Sequence, residues 1–155
     1  MYWYRMWQAS DLPWLQQAMA VAAWESLSPA ERLETSPQQV AMLAFELVSG
    51  TLSTPAGTAI LALHDREPVG FILMAVGPDP STDEPQGFLL IIWVAPAHRR
   101  HGLARSLEFA AEGVLRTLGM RKVKICPELH NEAALRLAAA SGFQPEGIIG
   151  QKSLE

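Results

Sequence analysis

Apolar and polar positions change period several times along the chain, and each change marks an element. Residues 1–9 are dense in aromatic side chains (Tyr2, Trp3, Tyr4 and Trp7) and predict a first strand. Ser10-Asp11-Leu12-Pro13 reads as a helix start, because a proline in the first turn lacks only an N–H that the helix would not use. Trp14, Leu15, Ala18, Met19 and Ala22 then recur at helical spacing. Ser28-Pro29-Ala30-Glu31 has capping-box spacing and opens a short second helix. Ser36-Pro37 opens a third helical run through Val48, with Gly50 as its stop. Residues 58–64 and 69–76 read as two strands, joined as a hairpin by the charged turn 64–68. Residues 77–87 hold three prolines and read as a loop. Residues 88–94 are continuously apolar, which predicts a strand buried on both faces.

The second half is more regular. Leu103, Leu107, Ala110, Ala111, Val114 and Leu118 form one apolar helix face, with Arg105, Glu108, Glu112 and Arg116 opposite. Gly119 is a natural C-cap for it. Residues 122–126 read as a strand. Asn131 suits the N-cap of an alanine-rich helix ending at Gly142, and the last dozen residues look strand-like. The order is β, helices, β-hairpin, β, α, β, α, β. This is an α/β chain with a mixed sheet. Neither an internal repeat nor a linker interrupts it, so residues 1–155 are expected to form a single domain.

Composition narrows the function. With 49% hydrophobic and 18% charged residues, the chain has a globular balance. Its net charge of -4 argues against a nucleic-acid partner, since phosphate contacts need clustered Lys and Arg. Cys126 is the single cysteine, which excludes an intrachain disulfide and a Cys-rich zinc site, and no metal is expected. The first residues lack a secretory pattern, and no apolar run reaches the roughly 18 residues that span a bilayer. The expected location is the cytoplasm, with no membrane partner.

The chemistry concentrates between Trp93 and Ala104. A strand ends, a basic turn His98-Arg99-Arg100-His101 follows, and a helix begins after Gly102. The first N–H groups of a helix have no internal partners and carry partial positive charge. Gly102 and Ala104 are small enough for an anion to approach the backbone, and Arg99 and Arg100 add charge. The stretch predicts a phosphate or pyrophosphate site. A Walker A loop would need a Gly-Lys-Ser/Thr ending and a dinucleotide fingerprint three glycines, and both are missing.

These residues resemble the GNAT N-acetyltransferase superfamily. Its loop reads Gln/Arg-x-x-Gly-x-Gly/Ala after a strand ending in Val-x-Pro. Here Val94-Ala95-Pro96 precedes Arg99-x-x-Gly102-x-Ala104. Its next motif, roughly Asn-x-x-Ala, a hydrophobic-Tyr pair and Gly-Phe, is matched by Asn131, Ala134, Leu137, Ala138 and Gly142-Phe143. The match is good from about Phe88 to Phe143, and only the order of elements matches before that. The resemblance implies the GNAT fold, a central mixed and mostly antiparallel twisted sheet flanked by helices. It implies acetyl transfer from acetyl-CoA to a primary amine, on a small molecule or a peptide, by a monomer or homodimer. By the same resemblance Arg99, Arg100, His101, Gly102, Leu103, Ala104 and Arg105 hold the CoA pyrophosphate. Ile92, Trp93 and Val94 pair with pantetheine and offer a backbone N–H to the thioester oxygen, and Asn131 fixes the pantetheine arm.

Two departures matter. Ala138 stands where the family often has a Tyr that protonates the leaving thiolate, so water is the expected proton source, with Ser141 and Cys126 as lesser alternatives. No carboxylate lies within residues 88–94, where some members place a base. Glu84 and His130 are the leading candidates for that role, beside Asp83 and Glu25. Acids in the 77–87 loop and at Glu25, Glu31 and Glu34 would favour a cationic acceptor. The alternative is a non-catalytic, regulatory acyl-CoA-binding domain on the same fold. The bland readings also stand: the basic turn as a solvated turn, Cys126 as a small buried hydrophobe, and the loop acids as ordinary surface charge.

Overall fold

A computed structural model describes all 155 residues, Met1–Glu155. Strand β1 (Tyr2–Met6) leads through a turn to α1 (Leu12–Ser26), α2 (Pro29–Arg32) and α3 (Pro37–Leu52). Strands β2 (Gly57–His64), β3 (Glu67–Pro78) and β4 (Pro85–Val94) follow, then α4 (Leu103–Thr117), β5 (Val123–Ile125) and α5 (Glu132–Ala140). The sheet order is β1-β2-β3-β4-β5, antiparallel except for the β4–β5 pair. No helix is long and apolar enough to cross a membrane.

Local chemistry explains the starts of the first three helices. Asp11 accepts from Arg5 at 2.7 and 2.9 Å and from the Gln8 N–H at 2.7 Å, which ties β1 to the start of α1. The Ser28 and Ser36 hydroxyls accept from Glu31 and Gln39 backbone N–H, each at 3.2 Å, as N-caps. Gly50 does not stop α3, which continues to Leu52. Val48 and Leu52, one turn apart, are both buried, and that burial outweighs the roughly 1 kcal/mol that a helical glycine costs.

The hairpin turns on Asp65 and Arg66, both with positive φ (49° and 73°), as in a type I′ two-residue turn. The expected 77–87 loop is mostly strand. Gly77 pairs with Gln86 and Pro78 with Pro85. The prolines occupy strand ends, where a missing N–H spares the ladder. Only residues 79–84 turn, and Asp79 closes the turn by accepting from Ser81 and Thr82 N–H at 2.7 and 3.2 Å.

Alternation along β2 builds a core on each face of the sheet. Ala59, Leu61 and Leu63 pack with Phe71 and Leu73 against Leu15 and Met19 of α1 and Val48 of α3. Ile60 and Ala62 pack with Ile72 and Met74 against Leu103, Leu107, Ala111 and Leu115 of α4. Glu108, expected on the polar face of α4, is instead 2% exposed, because the end of α5 covers it. The last dozen residues form no strand, and Ile148, Ile149 and Leu154 are exposed. Strand-like composition makes a strand only where a ladder receives it.

Candidate active site

The cleft arises from two irregularities in β4. Leu73 lies opposite Ile91 while Met74 lies opposite Leu89, so Leu90 is an extra residue, a bulge. Strand β5 pairs with β4 only from Gly87 to Leu89. Beyond that point the two parallel strands part. The expectation of a strand buried on both faces therefore fails in its second half: Leu90 is 44% exposed, and Ile91, Ile92 and Trp93 are half-buried. The opening is a cleft of about 1120 Å³. One wall is residues 89–94 with the turn and first residues of α4. The other runs from Ile125 through His130 and Asn131 to Ala138, and the end of α1 borders the mouth.

At one end of the cleft the backbone is arranged for an anion. Arg100 and Gly102 both have positive φ (65° and 77°), and a Cβ on Gly102 would meet nothing within 4 Å. The first bond of α4 closes from Ser106 N–H to the Gly102 carbonyl, 3.0 Å. The amides of Leu103, Ala104 and Arg105 are thus without helical partners. Arg99, Arg100, Gly102, Leu103 and Ala104 line the cleft. His101 and Arg105 do not. The His101 ring turns back onto the Arg99 carbonyl at 2.9 Å, and Arg105 borders a separate hollow with Tyr4 and Phe109. Arg99 is anchored by its Nε to the Val94 carbonyl and by its Nη2 to Glu25, both 2.8 Å.

The model of the Acetyltransferase (GNAT) family matches residues 15–143. The chain belongs to this family. The sequence is 29% identical over 125 residues to a mycothiol acetyltransferase of Sanguibacter keddieii, a match that covers 79% of this chain and 39% of that protein. The chain thus spans about two-fifths of that relative's length. Among solved structures it is similar to a putative acetyl transferase from Pyrococcus furiosus, with a TM-score of 0.85, 18% identity and 99% and 100% of the two chains covered. It is also similar to the aminoglycoside N-acetyltransferase AAC(6')-Iy in complex with CoA, with a TM-score of 0.77, 18% identity and 99% and 95% covered. Both structures share the GNAT fold with this chain.

Within the GNAT fold the expected base candidates separate. His130 reaches the cleft, and its Nε2 lies 2.6 Å from the Ser26 carbonyl at the end of α1. Glu84 does not reach it. It precedes β4 and faces Arg121 at 3.7 Å and Lys122 at 3.5 Å, while the cleft begins at Leu89, about 16 Å further along the strand. Asp79 and Asp83 stay with Glu84 at that far end, and Glu31 and Glu34 do not line the cleft either; of the expected acids Glu25 does, joined by Glu108, Glu128 and Glu132. Asn131 lines the cleft, with its Oδ1 capping α5 through Ala134 N–H at 3.1 Å. Cys126 is exposed on the cleft wall rather than buried.

Glu108 escaped the sequence reading. One carboxyl oxygen accepts from the Ser141 hydroxyl at 2.8 Å, and the other is buried without a partner. Burial pushes its carboxyl above the usual range, against the opposing pull of Ser141. The available signal was its position four residues after Ala104, on the side of α4 that faces the cleft. No three His, Cys, Asp or Glu side chains are grouped to hold a metal ion.

Proposed function

We propose that the chain catalyses direct transfer of an acetyl group from acetyl-CoA to a primary amine. The observation that carries this is the cleft itself, which runs from the unpaired amides at the start of α4 to the bulged, half-open stretch of β4. An extended thioester with a pyrophosphate at its far end fits such a path. The amides of Leu103 and Ala104, with Arg99 and Arg100 beside them, would hold the phosphates. Open space above Gly102 admits them. Past Leu89, β4 has no strand on its β5 side, so residues 90–94 can receive an extended amide chain as another strand would. Asn131 would hold the same arm from the opposite wall.

Acetyl-CoA supplies an acyl group activated as a thioester. The chain's part is to aim an amine at that carbonyl and to stabilise the oxygen as charge develops on it. A backbone N–H between Ile92 and Val94 is the donor for that oxygen. His130 would take a proton from the amine; it lines the cleft, and its ring is held in place by the Ser26 carbonyl. Ala138 carries no acid and the Ser141 hydroxyl is engaged by Glu108, so water would protonate the departing thiolate, with Cys126 on the cleft wall as the lesser alternative. A thiol's pKa of about 8.5 makes that tolerable.

The test is a screen of primary amines with acetyl-CoA, following release of free CoA. Gly102→Asp places a charge where phosphate must sit, and about a hundredfold loss of acetyl-CoA affinity is expected from the folded variant. Parent-like affinity in Gly102→Asp contradicts the assignment. Binding of acetyl-CoA with no CoA release from any amine favours the regulatory alternative.

A further inference from the structure

The last turn of α1 is tied to both walls of the cleft. Glu25 Oε2 accepts from Arg99 Nη2 at 2.8 Å and from Trp93 Nε1 at 3.1 Å, so one carboxylate oxygen joins the basic turn to the end of β4. One residue later the Ser26 carbonyl receives the His130 ring N–H at 2.6 Å from the opposite wall. Carbonyls in the last turn of a helix lack helical partners and carry partial negative charge. A carboxylate and the negative end of a helix therefore meet at the mouth of the cleft. Both already hold nitrogen donors, one of them a cation.

The other acids of the cleft are less suited to a cation. Glu108 is buried against Ser141. Glu128 and Glu132 are exposed on the far wall, and Glu132 faces Arg136. Only Glu25 is hydrogen-bonded to β4, and its side chain remains 39% exposed.

We propose that Glu25 is the acceptor-recognising carboxylate, which with the Ser26 carbonyl binds the ammonium form of a small cationic amine, and that its pairing with Arg99 makes this binding stronger once CoA is in place. The proposal rests on the acyl-CoA reading above. Without ligand, the Arg99 guanidinium compensates the charge on Glu25. An ion pair this exposed is weak and easily shared. Phosphates beside Arg99 take up its positive charge, and the field of Glu25 becomes available to an incoming ammonium. Linkage makes the effect mutual: the amine must tighten CoA by the same factor.

Nuclear magnetic resonance on nitrogen-labelled protein reads this directly through the Trp93 indole N–H, which donates to Glu25 and is assigned by its loss in Trp93→Phe. Putrescine is the probe, and γ-aminobutyrate, of similar length with a carboxylate in place of one ammonium, is its control. Putrescine is expected to shift the Trp93 signal saturably and to bind several-fold tighter with CoA present, while γ-aminobutyrate binds more weakly. Glu25→Gln should weaken putrescine about tenfold. It should leave CoA affinity unchanged or tighter, because a negative charge near the phosphates is gone. Glu25→Asp should recover part of the loss. The proposal is overturned if putrescine gives no saturable shift in the CoA-loaded protein or if Glu25→Gln binds it as the parent does. It is equally overturned if Glu25→Gln loses CoA and putrescine affinity together, the mark of a merely structural role. Failure of CoA itself to bind is seen before any amine is added, and it defeats the underlying reading as well.

Discussion

The carboxyl of Glu108 sits where almost no water reaches it, with one oxygen on Ser141 and the other bare. An ionised carboxylate in such a place is costly, so the folded chain holds its proton more tightly than the unfolded chain does. The sign follows from linkage. The stabilising contribution is full below the unfolded value of about 4.3 and is lost as pH rises through the higher folded value. Glu108→Gln keeps the shape and a partner for Ser141 without the titration. Thermal unfolding measured from about pH 4 to pH 8 should show the variant level with the parent in acid and more stable than it at the alkaline end. Parallel curves for the two proteins would mean that Glu108 is solvated after all. The residue also joins α4 to α5 across 33 positions of sequence, so Glu108→Ala is expected to loosen one wall of the cleft.

Helix α5 spans only Glu132–Ala140, too short to persist by its own propensity. Its start depends on the Asn131 side chain, and the same residue faces the cleft. Substitution separates the two roles. Asn131→Ala should cost about 1 kcal/mol of stability through the lost cap, and it should weaken CoA as well. Asn131→Ser restores a cap and removes the amide group. Melting temperature should then recover while CoA affinity stays low. Recovery of both would show that Asn131 acts on the ligand only by holding α5 in place. The bulge at Leu90 is the counterpart in the sheet, one extra residue that turns a continuous apolar run into a half-open surface.

Across the whole molecule, the cleft divides the parts that the sheet joins least. Strands β4 and β5 share three residue pairs, whereas β3 and β4 pair along nearly their full length. A ligand lying between the walls would bridge them. CoA at a hundredfold excess over its dissociation constant should add about 2.7 kcal/mol to stability. Hydrogen exchange should slow at residues 99–106 and 125–137 and stay unchanged in β2 and β3, whose amides the core already protects. An unshifted melting temperature, or protection spread evenly over the chain, would place the ligand elsewhere.

Much of this was legible in the order of residues because it rests on neighbours. The caps at Ser28, Ser36 and Asn131, the hairpin turn at Asp65-Arg66, the apolar stripe of α4 and the small residues at its start each depend on a few consecutive positions. The sequence by itself thus determined the helix starts, the central hairpin and the anion-ready turn at Gly102, but not the strand ends around residues 77–87 or the fate of the last dozen residues. Tertiary structure decided where the chemistry meets. Glu25 reaches Arg99 across 74 positions and His130 reaches Ser26 across 104. Glu84 is the exception, since its place just before β4 already set it about 16 Å along the strand from the cleft. Glu108 becomes buried only because Ser141 arrives over it, and the last dozen residues stay unpaired because no ladder receives them. Period and propensity act over a few residues, whereas register, strand parting and burial depend on which distant segment lies alongside.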